Sequence, residues 1–183
     1  ISACLVGSEM CIRDRVWAWR KGRVRTIAKL VRAILVIFPF EVELYRPTGV
    51  DVRFVGHPLA DAVASSFSRA EARLAFGLAQ GLKTVALLPG SRRKEIAYLL
   101  PDMLGAAKLL RERFADIQFV LPVAPTLDRG LIDRLVAESG VPVRVVDGRV
   151  YDVLRASDAA VVTSGTATLE TGLMAVPMVI VYR

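Results

Sequence analysis

Apolar residues fall along this chain in short runs of strand length, separated by stretches in which apolar and polar residues alternate at helical spacing. The second half contains five such runs, which are TVALLP (84–89), IQFVLPV (117–123), VRVVDG (143–148), AAVVTSG (159–165) and MVIVYR (178–183). Every gap between them can form a helix. Strands that alternate with helices are typical of a parallel sheet wound by right-handed crossovers. The pattern therefore predicts an α/β fold with a parallel sheet, whose ligands bind at the carboxyl ends of the strands.

The first part of the chain shows a shorter version of this alternation. ILVIF (34–38) and VRFVGHP (52–58) predict two strands, and residues 41–46 predict a short helix between them. Small and polar residues at 61–68 then indicate a connection between domains. We therefore expect residues 16–61 to be the end of an N-terminal domain and residues 62–183 to be a C-terminal domain.

A capping-box pattern marks where the second domain begins. Ser68 is followed three residues later by Glu71, and Gly77 follows the apolar stretch after them. A serine hydroxyl at the start of a helix accepts a backbone hydrogen bond, and glycine commonly ends a helix. We expect a helix between these residues.

The chain has a formal net charge of +7, but its cations are not evenly spread. Residues 16–32 carry six cations and no acid, namely Arg20, Lys21, Arg23, Arg25, Lys29 and Arg32. Ile27, Leu30 and Val31 recur among them and predict an apolar stripe beneath the cations of an amphipathic helix. A local patch of this kind fits an anionic membrane surface or a phosphorylated ligand. No nucleic-acid-binding pattern accompanies it, so we expect no nucleic-acid partner.

Two tryptophans precede this basic helix. Trp17 and Trp19 lie in VWAWRKGR. Indole rings suit a lipid interface, because one edge is apolar and the other carries an N–H group. Packing in a protein core explains them equally well, and the sequence leaves both interpretations open.

The opening fifteen residues show no clear helix or strand period and carry both cysteines, Cys4 and Cys11. They have too short an apolar core for a signal peptide, so we interpret residues 1–15 as a leader foreign to the rest. The spacing of the cysteines suits neither a metal site nor a disulfide framework. No apolar run approaches the ~18 residues of a membrane span. These features predict a cytoplasmic protein.

Two strand ends carry residues suited to phosphate. LPGSRRKE (88–95) places Ser91, Arg92 and Arg93 where a strand runs into a helix, so that free backbone N–H groups and guanidinium groups could hold phosphate oxygens. An ordinary turn with a solvated basic cluster is the alternative. This loop lacks the second glycine and the Lys-Ser/Thr pair of a Walker loop.

The second strand end is TSGTATLE (163–170). Gly165 permits close backbone approach, and the hydroxyls of Ser164, Thr166 and Thr168 could cap the following helix or donate to phosphate. Glu170 could accept hydrogen bonds from a ribose diol, or could be a solvated or capping acid. Two such strand ends on one sheet indicate a nucleotide site without identifying the nucleotide.

His57 is the only histidine of the chain and lies in VGHPLAD, near the expected domain boundary. It could be a hydrogen-bond donor between domains or a general base. A single histidine does not make a metal site. We favour a structural or substrate-orienting role.

Taken in order, VWAWRKGR, ILVIFPFEVELYR, VGHPLAD, LLPGSRRKEI and ASDAAVVTSGTATLETGLMAVPMVIVYR resemble the lipid-A-disaccharide synthase family. The resemblance runs from Val16 to Arg183. It implies a GT-B fold, in which two Rossmann-like domains face each other and the C-terminal one holds the nucleotide sugar. It also implies that 2,3-diacylglucosamine is transferred from UDP to the 6-hydroxyl of 2,3-diacylglucosamine 1-phosphate (lipid X), with no metal ion or other cofactor.

The resemblance gives roles to individual residues. Arg92 becomes the candidate catalytic residue that stabilises the departing diphosphate, with Ser91, Arg93, Ser164, Gly165 and Thr166 binding UDP alongside it. Glu170 stands seven residues before Pro177, as the ribose-binding acid does in related GT-B enzymes. The patch Trp17, Trp19, Arg20, Lys21 and Arg23 would attach the enzyme to the inner leaflet, where its acylated substrates lie.

The family's glycine-rich N-terminal region and acidic base would precede Val16, and its final helices would follow Arg183. We therefore expect this chain alone to have little or no transferase activity, and the intact enzyme could be a homodimer.

The rival enzymes are other GT-B proteins, such as a UDP-N-acetylglucosamine 2-epimerase or the peptidoglycan glycosyltransferase acting on lipid-linked muramyl peptide. A module that binds anionic lipid without catalysis is a rival of another class, and it would ignore UDP.

Overall fold

The computed structural model describes residues 4–6, 9–11 and 22–182, with only the backbone for the first two segments. The strands are β1 (Cys4–Val6), β2 (Glu9–Cys11), β3 (Ala33–Val36), β4 (Asp51–Phe54), β5 (Lys83–Leu88), β6 (Ile117–Val123), β7 (Val143–Asp147), β8 (Ala159–Thr163) and β9 (Met178–Val181). The helices are α1 (Arg23–Leu30), α2 (Pro39–Tyr45), α3 (Leu59–Ala62), α4 (Arg69–Ala75), α5 (Arg93–Arg113), α6 (Arg129–Ser139), α7 (Val150–Ala156) and α8 (Thr166–Leu173), with a 3-10 turn at Arg46–Thr48.

The chain divides into two compact units, residues 1–62 and residues 63–183. In the first unit, β3 and β4 form a parallel pair in which Ala33 lies opposite Asp51. Its described core consists of Val24, Ile27, Val36 and Tyr45. Strands β1 and β2 pair antiparallel in the segment for which the sequence predicted no regular element.

Helix α1 confirms the amphipathic helix in part. Val24 and Ile27 are buried on its inner face, but Leu30 is 69% exposed. Successive residues of a helix are about 100° apart, so positions 24, 27, 28 and 31 share one face while position 30 lies about 120° from its centre. The expected place of Leu30 in the apolar stripe is therefore wrong.

The second unit contains the expected parallel sheet. Its five strands lie in the order β7-β6-β5-β8-β9. The chain starts in the middle with β5, adds β6 and β7 on one side, and then crosses to add β8 and β9 on the other. All four neighbouring pairs are parallel. The strand order therefore reverses between β5 and β8, which is the switch point where doubly wound sheets bind ligands.

Apolar side chains cover both faces of this sheet, as parallel strands require. Ala86 and Leu88 of β5 lie in one core cluster with residues of α4 and α7. Leu87 lies in the other, with residues of α5 and α6. Because successive residues of a strand face opposite ways, an uninterrupted apolar run fills both cores.

The capping box predicted at Ser68 and Glu71 is present at the start of α4. The Ser68 hydroxyl accepts a hydrogen bond from the Glu71 N–H group (3.3 Å), and the Ser68 N–H group donates to the Glu71 carboxylate (2.8 Å). Gly77, just after α4, has φ +65°. These features define the two ends of α4.

Candidate functional site

The first candidate loop joins β5 to α5 at the carboxyl edge of the sheet. Gly90 has φ +108°, a conformation that residues with a side chain rarely adopt, and a Cβ atom there would collide with the Glu95 carboxylate. Glycine at this position therefore lets the loop pass close to Glu95. The loop then enters α5 at Arg93.

Glu95 occupies the place that the sequence analysis assigned to a phosphate. Its Oε2 atom accepts hydrogen bonds from the N–H groups of Ser91 (3.1 Å) and Arg92 (3.3 Å). Its Oε1 atom accepts from the Arg92 guanidinium at 2.6 Å. The expectation that these N–H groups are free is therefore wrong, because the carboxylate three residues into the helix caps its first turn. The same contacts show that the loop holds an anion with backbone and guanidinium donors.

The two arginines of this loop have different surroundings. The Arg92 side chain is 80% exposed and pairs with Glu95. Arg93 instead lines, with Ser91, a cavity of about 210 Å³ beside α6. The other lining residues are Ile96, Thr126, Leu127, Asp128, Leu131 and Ile132. Of the two arginines, only Arg92 thus contacts the Glu95 carboxylate at the start of the helix.

The second candidate loop joins β8 to α8. Ser164 anchors it by donating its backbone N–H to the carbonyl of Val181 (2.9 Å). Gly165 is the capping position of α8, and its backbone is extended. No described atom outside the neighbouring residues lies within 4 Å of where a Cβ at Gly165 would sit. A ligand can therefore approach the main chain closely here.

The hydroxyl groups of this loop differ in their hydrogen-bond partners and in their exposure. Thr168 donates its hydroxyl to the Gly165 carbonyl at 2.7 Å, so this side chain supports the loop. Ser164 and Thr166 are exposed, and no side chain caps the first turn of α8 among the described residues. The Thr163 hydroxyl is buried and has no hydrogen-bond partner in the described part of the chain. The start of α8 thus presents uncapped N–H groups beside two exposed hydroxyls.

The sheet brings these two loops together. Leu88, the last residue of β5, pairs with Val162 of β8. The loops that follow therefore leave neighbouring strands at the same edge, at the point where the strand order reverses. Both precede helix starts, whose dipoles favour negative charge. The arrangement suits the phosphates of a nucleotide.

Glu170 lies one turn into α8 and has a partner that the sequence analysis missed. The Tyr151 hydroxyl donates to its Oε1 atom at 2.9 Å. Burial raises the pKa of Tyr151, and the hydrogen bond and charge of Glu170 raise it further. The phenol is therefore a hydrogen-bond donor throughout the neutral range. The two residues are 19 positions apart, and no spacing in the sequence indicated the pair.

His57 belongs to the first unit, where its Nδ1 atom accepts a hydrogen bond from the Leu59 N–H group at 3.1 Å. Its ring also contacts that of Phe38, with centroids 5.7 Å apart. A neutral imidazole whose Nδ1 is an acceptor carries its proton on Nε2. The geometry therefore favours the donor role over the general-base role.

Most of the predicted membrane patch lies outside the described residues. This holds for Trp17, Trp19, Arg20 and Lys21, whereas Arg23 is exposed at the start of α1. No described helix is both long enough and apolar enough to cross a bilayer. Within the described part of the chain, no cluster of three or more His, Cys, Asp or Glu residues could hold a metal ion.

Solved structures with a similar fold share little sequence with this chain. A Listeria monocytogenes protein described as a UDP-N-acetylglucosamine 2-epimerase has a TM-score of 0.62 and 16% identity, over 84% of this chain and 43% of the other. A glycosyltransferase involved in lipopolysaccharide biosynthesis has a TM-score of 0.50 and 15% identity, over 80% of this chain and 43% of the other. Such neighbours have the GT-B fold, which confirms the predicted fold class.

Sequence comparisons are more specific. The family model for lipid-A-disaccharide synthetase matches residues 11–183, starting five positions before Val16. The lipid-A-disaccharide synthase of Geobacter sulfurreducens is 55% identical over 94% of this chain and 45% of its own length. That of Syntrophus aciditrophicus is 53% identical over the same shares of the two chains. The chain thus spans just under half the length of these relatives, and it belongs to the lipid-A-disaccharide synthase family.

Proposed function

We propose that this chain supplies the nucleotide-binding part of a glycosyltransferase. The reaction would transfer 2,3-diacylglucosamine from UDP-2,3-diacylglucosamine to the 6-hydroxyl of lipid X, and it would release UDP and lipid A disaccharide 1-phosphate. The observation that carries the proposal is the pair of loops at the switch point, in a chain of this family. The first loop holds a carboxylate with backbone and guanidinium donors, and the second presents uncapped N–H groups at a helix start.

The diphosphate would bind between these loops. When the bond from the anomeric carbon to UDP breaks and the bond to the acceptor oxygen forms, negative charge grows on the leaving diphosphate. Arg92 and the N–H groups of Ser91 and Arg92 would stabilise that charge in place of Glu95, whose carboxylate they now hold. Arg93, Ser164, Gly165 and Thr166 would line the rest of the UDP site.

Glu170 and His57 would bind other parts of the substrates. Glu170 would accept hydrogen bonds from the ribose hydroxyls. Nε2–H of His57 would donate to substrate and help to orient it, because Nδ1 is already an acceptor. The proton of the 6-hydroxyl would pass to a base supplied elsewhere in the full-length enzyme.

We also propose that the intact enzyme attaches peripherally to the cytoplasmic face of the inner membrane. Arg25, Lys29 and Arg32 are exposed on or just after α1, beside the exposed Leu30. Each cation near an anionic surface contributes about 1 kcal/mol, and this attraction weakens with salt. Co-sedimentation with phosphatidylglycerol vesicles should fall as salt rises, and binding to neutral vesicles should be weak. Equal binding to both would contradict the attachment.

Calorimetric titration of UDP into this chain tests the nucleotide site. Arg92→Ala should weaken binding about 10- to 100-fold, because hydrogen bonds to charged groups contribute roughly 1.5–3 kcal/mol. Glu170→Ala should weaken it by a smaller factor. Arg111→Ala, which removes the same charge from the exposed far end of α5, should change nothing.

Glu95→Gln should have the opposite effect on UDP affinity to that of Arg92→Ala. The amide competes less well than the carboxylate for the donors of the loop, so UDP should bind more tightly. Absence of UDP binding by the folded chain, or equal effects of Arg92→Ala and Arg111→Ala, would exclude this site.

A further inference from the structure

We propose that Tyr151 is a positioning residue, which holds the Glu170 carboxylate in the orientation that receives the ribose hydroxyls of uridine diphosphate. The inference rests on the proposed function and extends it to a residue outside the candidate loops. Its basis is the hydrogen bond of 2.9 Å from the Tyr151 hydroxyl to Oε1 of Glu170. This bond joins the first turn of α7 to the second turn of α8.

The position of the phenol is fixed from both sides along the chain. Arg149 precedes it with φ +53°, and its guanidinium lies 5.0 Å and 4.9 Å from the ring centroids of Phe67 and Phe76. Asp152 follows it and accepts hydrogen bonds from Ser65 (2.7 Å) and Arg149 (3.0 Å). The start of α7 is thus attached to the segment before α4. Tyr151 therefore presents its hydroxyl from a fixed backbone.

Glu170 retains capacity for a ligand after this bond is made. A carboxylate has about four acceptor positions, and Tyr151 occupies one of them. Apart from Tyr151, no described side chain donates to this carboxylate. A diol could therefore donate one hydroxyl to each oxygen. Without the phenol, the side chain of a half-buried glutamate has several rotamers, and binding would have to fix one of them.

The phenol is also protonated under any ordinary assay condition. Burial raises the pKa of Tyr151, and Glu170 raises it further. Tyr151 therefore donates its hydroxyl to the Glu170 carboxylate. A bond of this kind is stronger than one between two neutral groups.

The experiment compares UDP with 2′-deoxy-UDP, by calorimetric titration into the whole chain. The wild-type chain should bind UDP more tightly, because the 2′-hydroxyl donates to Glu170. Tyr151→Phe should weaken UDP binding about 3- to 10-fold, the range expected for one hydrogen bond. It should weaken 2′-deoxy-UDP binding by a smaller factor, because only the 3′-hydroxyl of that ligand can donate to Glu170, so that the ratio of the two affinities falls. A purely structural defect would weaken both ligands equally.

Two further variants complete the design. Tyr98→Phe makes the same change at a phenol that is 61% exposed on α5, and it should preserve the ratio. In a Glu170→Ala background, Tyr151→Phe should have no further effect on UDP binding if it acts through that carboxylate. Melting temperatures of all variants establish that they are folded.

The possible failures are distinguishable. If wild type binds UDP and Tyr151→Phe keeps the wild-type ratio, the positioning role is excluded and the UDP site stands. The same conclusion follows if the effect of Tyr151→Phe persists in full without Glu170. If folded wild type binds neither nucleotide, the proposed function and this inference are both overturned.

Discussion

His57 shows how a single hydrogen bond separates two chemical roles. Its Nδ1 atom accepts from the Leu59 N–H group, so the neutral ring should carry its proton on Nε2. Long-range ¹H–¹⁵N NMR correlation of the imidazole, recorded at a pH where the ring is neutral, checks this assignment. The chain has only one histidine, so its signal needs no separate assignment. A spectrum of the Nδ1–H tautomer would contradict the donor role and restore the general-base hypothesis.

The buried hydroxyl of Thr163 gives a second prediction at this scale. It has no partner among the described residues, so Thr163→Val should raise the free energy of unfolding by about 1 kcal/mol. Thr171→Val is the matched control, because the Thr171 hydroxyl is equally inaccessible but donates to the Ala167 carbonyl at 2.7 Å. That change should lower stability by about 1 kcal/mol. Denaturant unfolding measures both, and destabilisation by Thr163→Val would show that the hydroxyl has a partner.

Single residues could be predicted where one local rule decides. The Ser68 and Glu71 cap follows from the sequence, because one capping rule specifies both residues. Glu95 was missed as the anion at the first loop, although an acid three positions into a helix is a known capping signal. Tyr151 had no such signal, because only the folded structure brings its hydroxyl to Glu170, 19 positions along the chain.

At the scale of elements, one ionic network joins α4 to two strands. Arg73 is buried and donates to the Ala156 carbonyl (3.0 Å), the Gln80 carbonyl (2.8 Å) and Asp158 (2.7 Å). Asp158 also accepts from the N–H group of Thr84 at the start of β5 (2.8 Å). It directly precedes β8. The network therefore fixes the amino-terminal edge of the sheet, opposite the candidate loops.

Asp158→Asn should lower the free energy of unfolding by about 2 kcal/mol, because Arg73 then lacks its counter-charge. Asp133→Asn removes an exposed partner of Arg129 and should cost less than about 0.5 kcal/mol. Denaturant unfolding measures both. If the two variants lose similar amounts of unfolding free energy, the network contributes no more to stability than an exposed ion pair.

The pH dependence of stability tests the same network. Burial raises the pKa of Asp158, but the bond from Thr84 and the charges of Arg73 and Arg69 outweigh it, so the folded pKa is lowered. Its contribution is therefore complete above the unfolded pKa of about 3.9 and is lost as the pH falls through the folded value. Unfolding free energies measured from neutral to acid pH should decline less in Asp158→Asn than in wild type. Parallel declines would show that another carboxylate dominates.

It was easier to predict which segments form strands than to predict which face of a helix is buried. Long apolar runs indicated the five strands of the sheet, because both of its faces are covered and every position of a run is then apolar. The face of α1 was harder to predict. Its short sequence offered two overlapping apolar sets, and only the positions of β3 and α2 decide that Val24 is inside and Leu30 outside.

At the scale of the whole molecule, the described residues of the two units differ in how much core they form. The second unit has 24 buried apolar residues in two clusters, whereas the described part of the first has four. Composition could not reveal this difference, because apolar residues are common in both parts and only the fold decides which ones are buried. Two apolar side chains of the parallel pair are also exposed, Leu35 of β3 at 58% and Phe54 of β4 at 50%.

The first unit should therefore open at a lower free energy than the second, because burial of apolar area is the main stabilising contribution. Hydrogen exchange read by mass spectrometry should show that the amides of β3 and β4 exchange faster than those of β5 and β6. On heating at near-neutral pH, the first unit should unfold at a lower temperature than the second. A shortened chain of residues 63–183 should keep only the later transition. One cooperative transition with matched exchange rates would show instead that the two units stabilise each other.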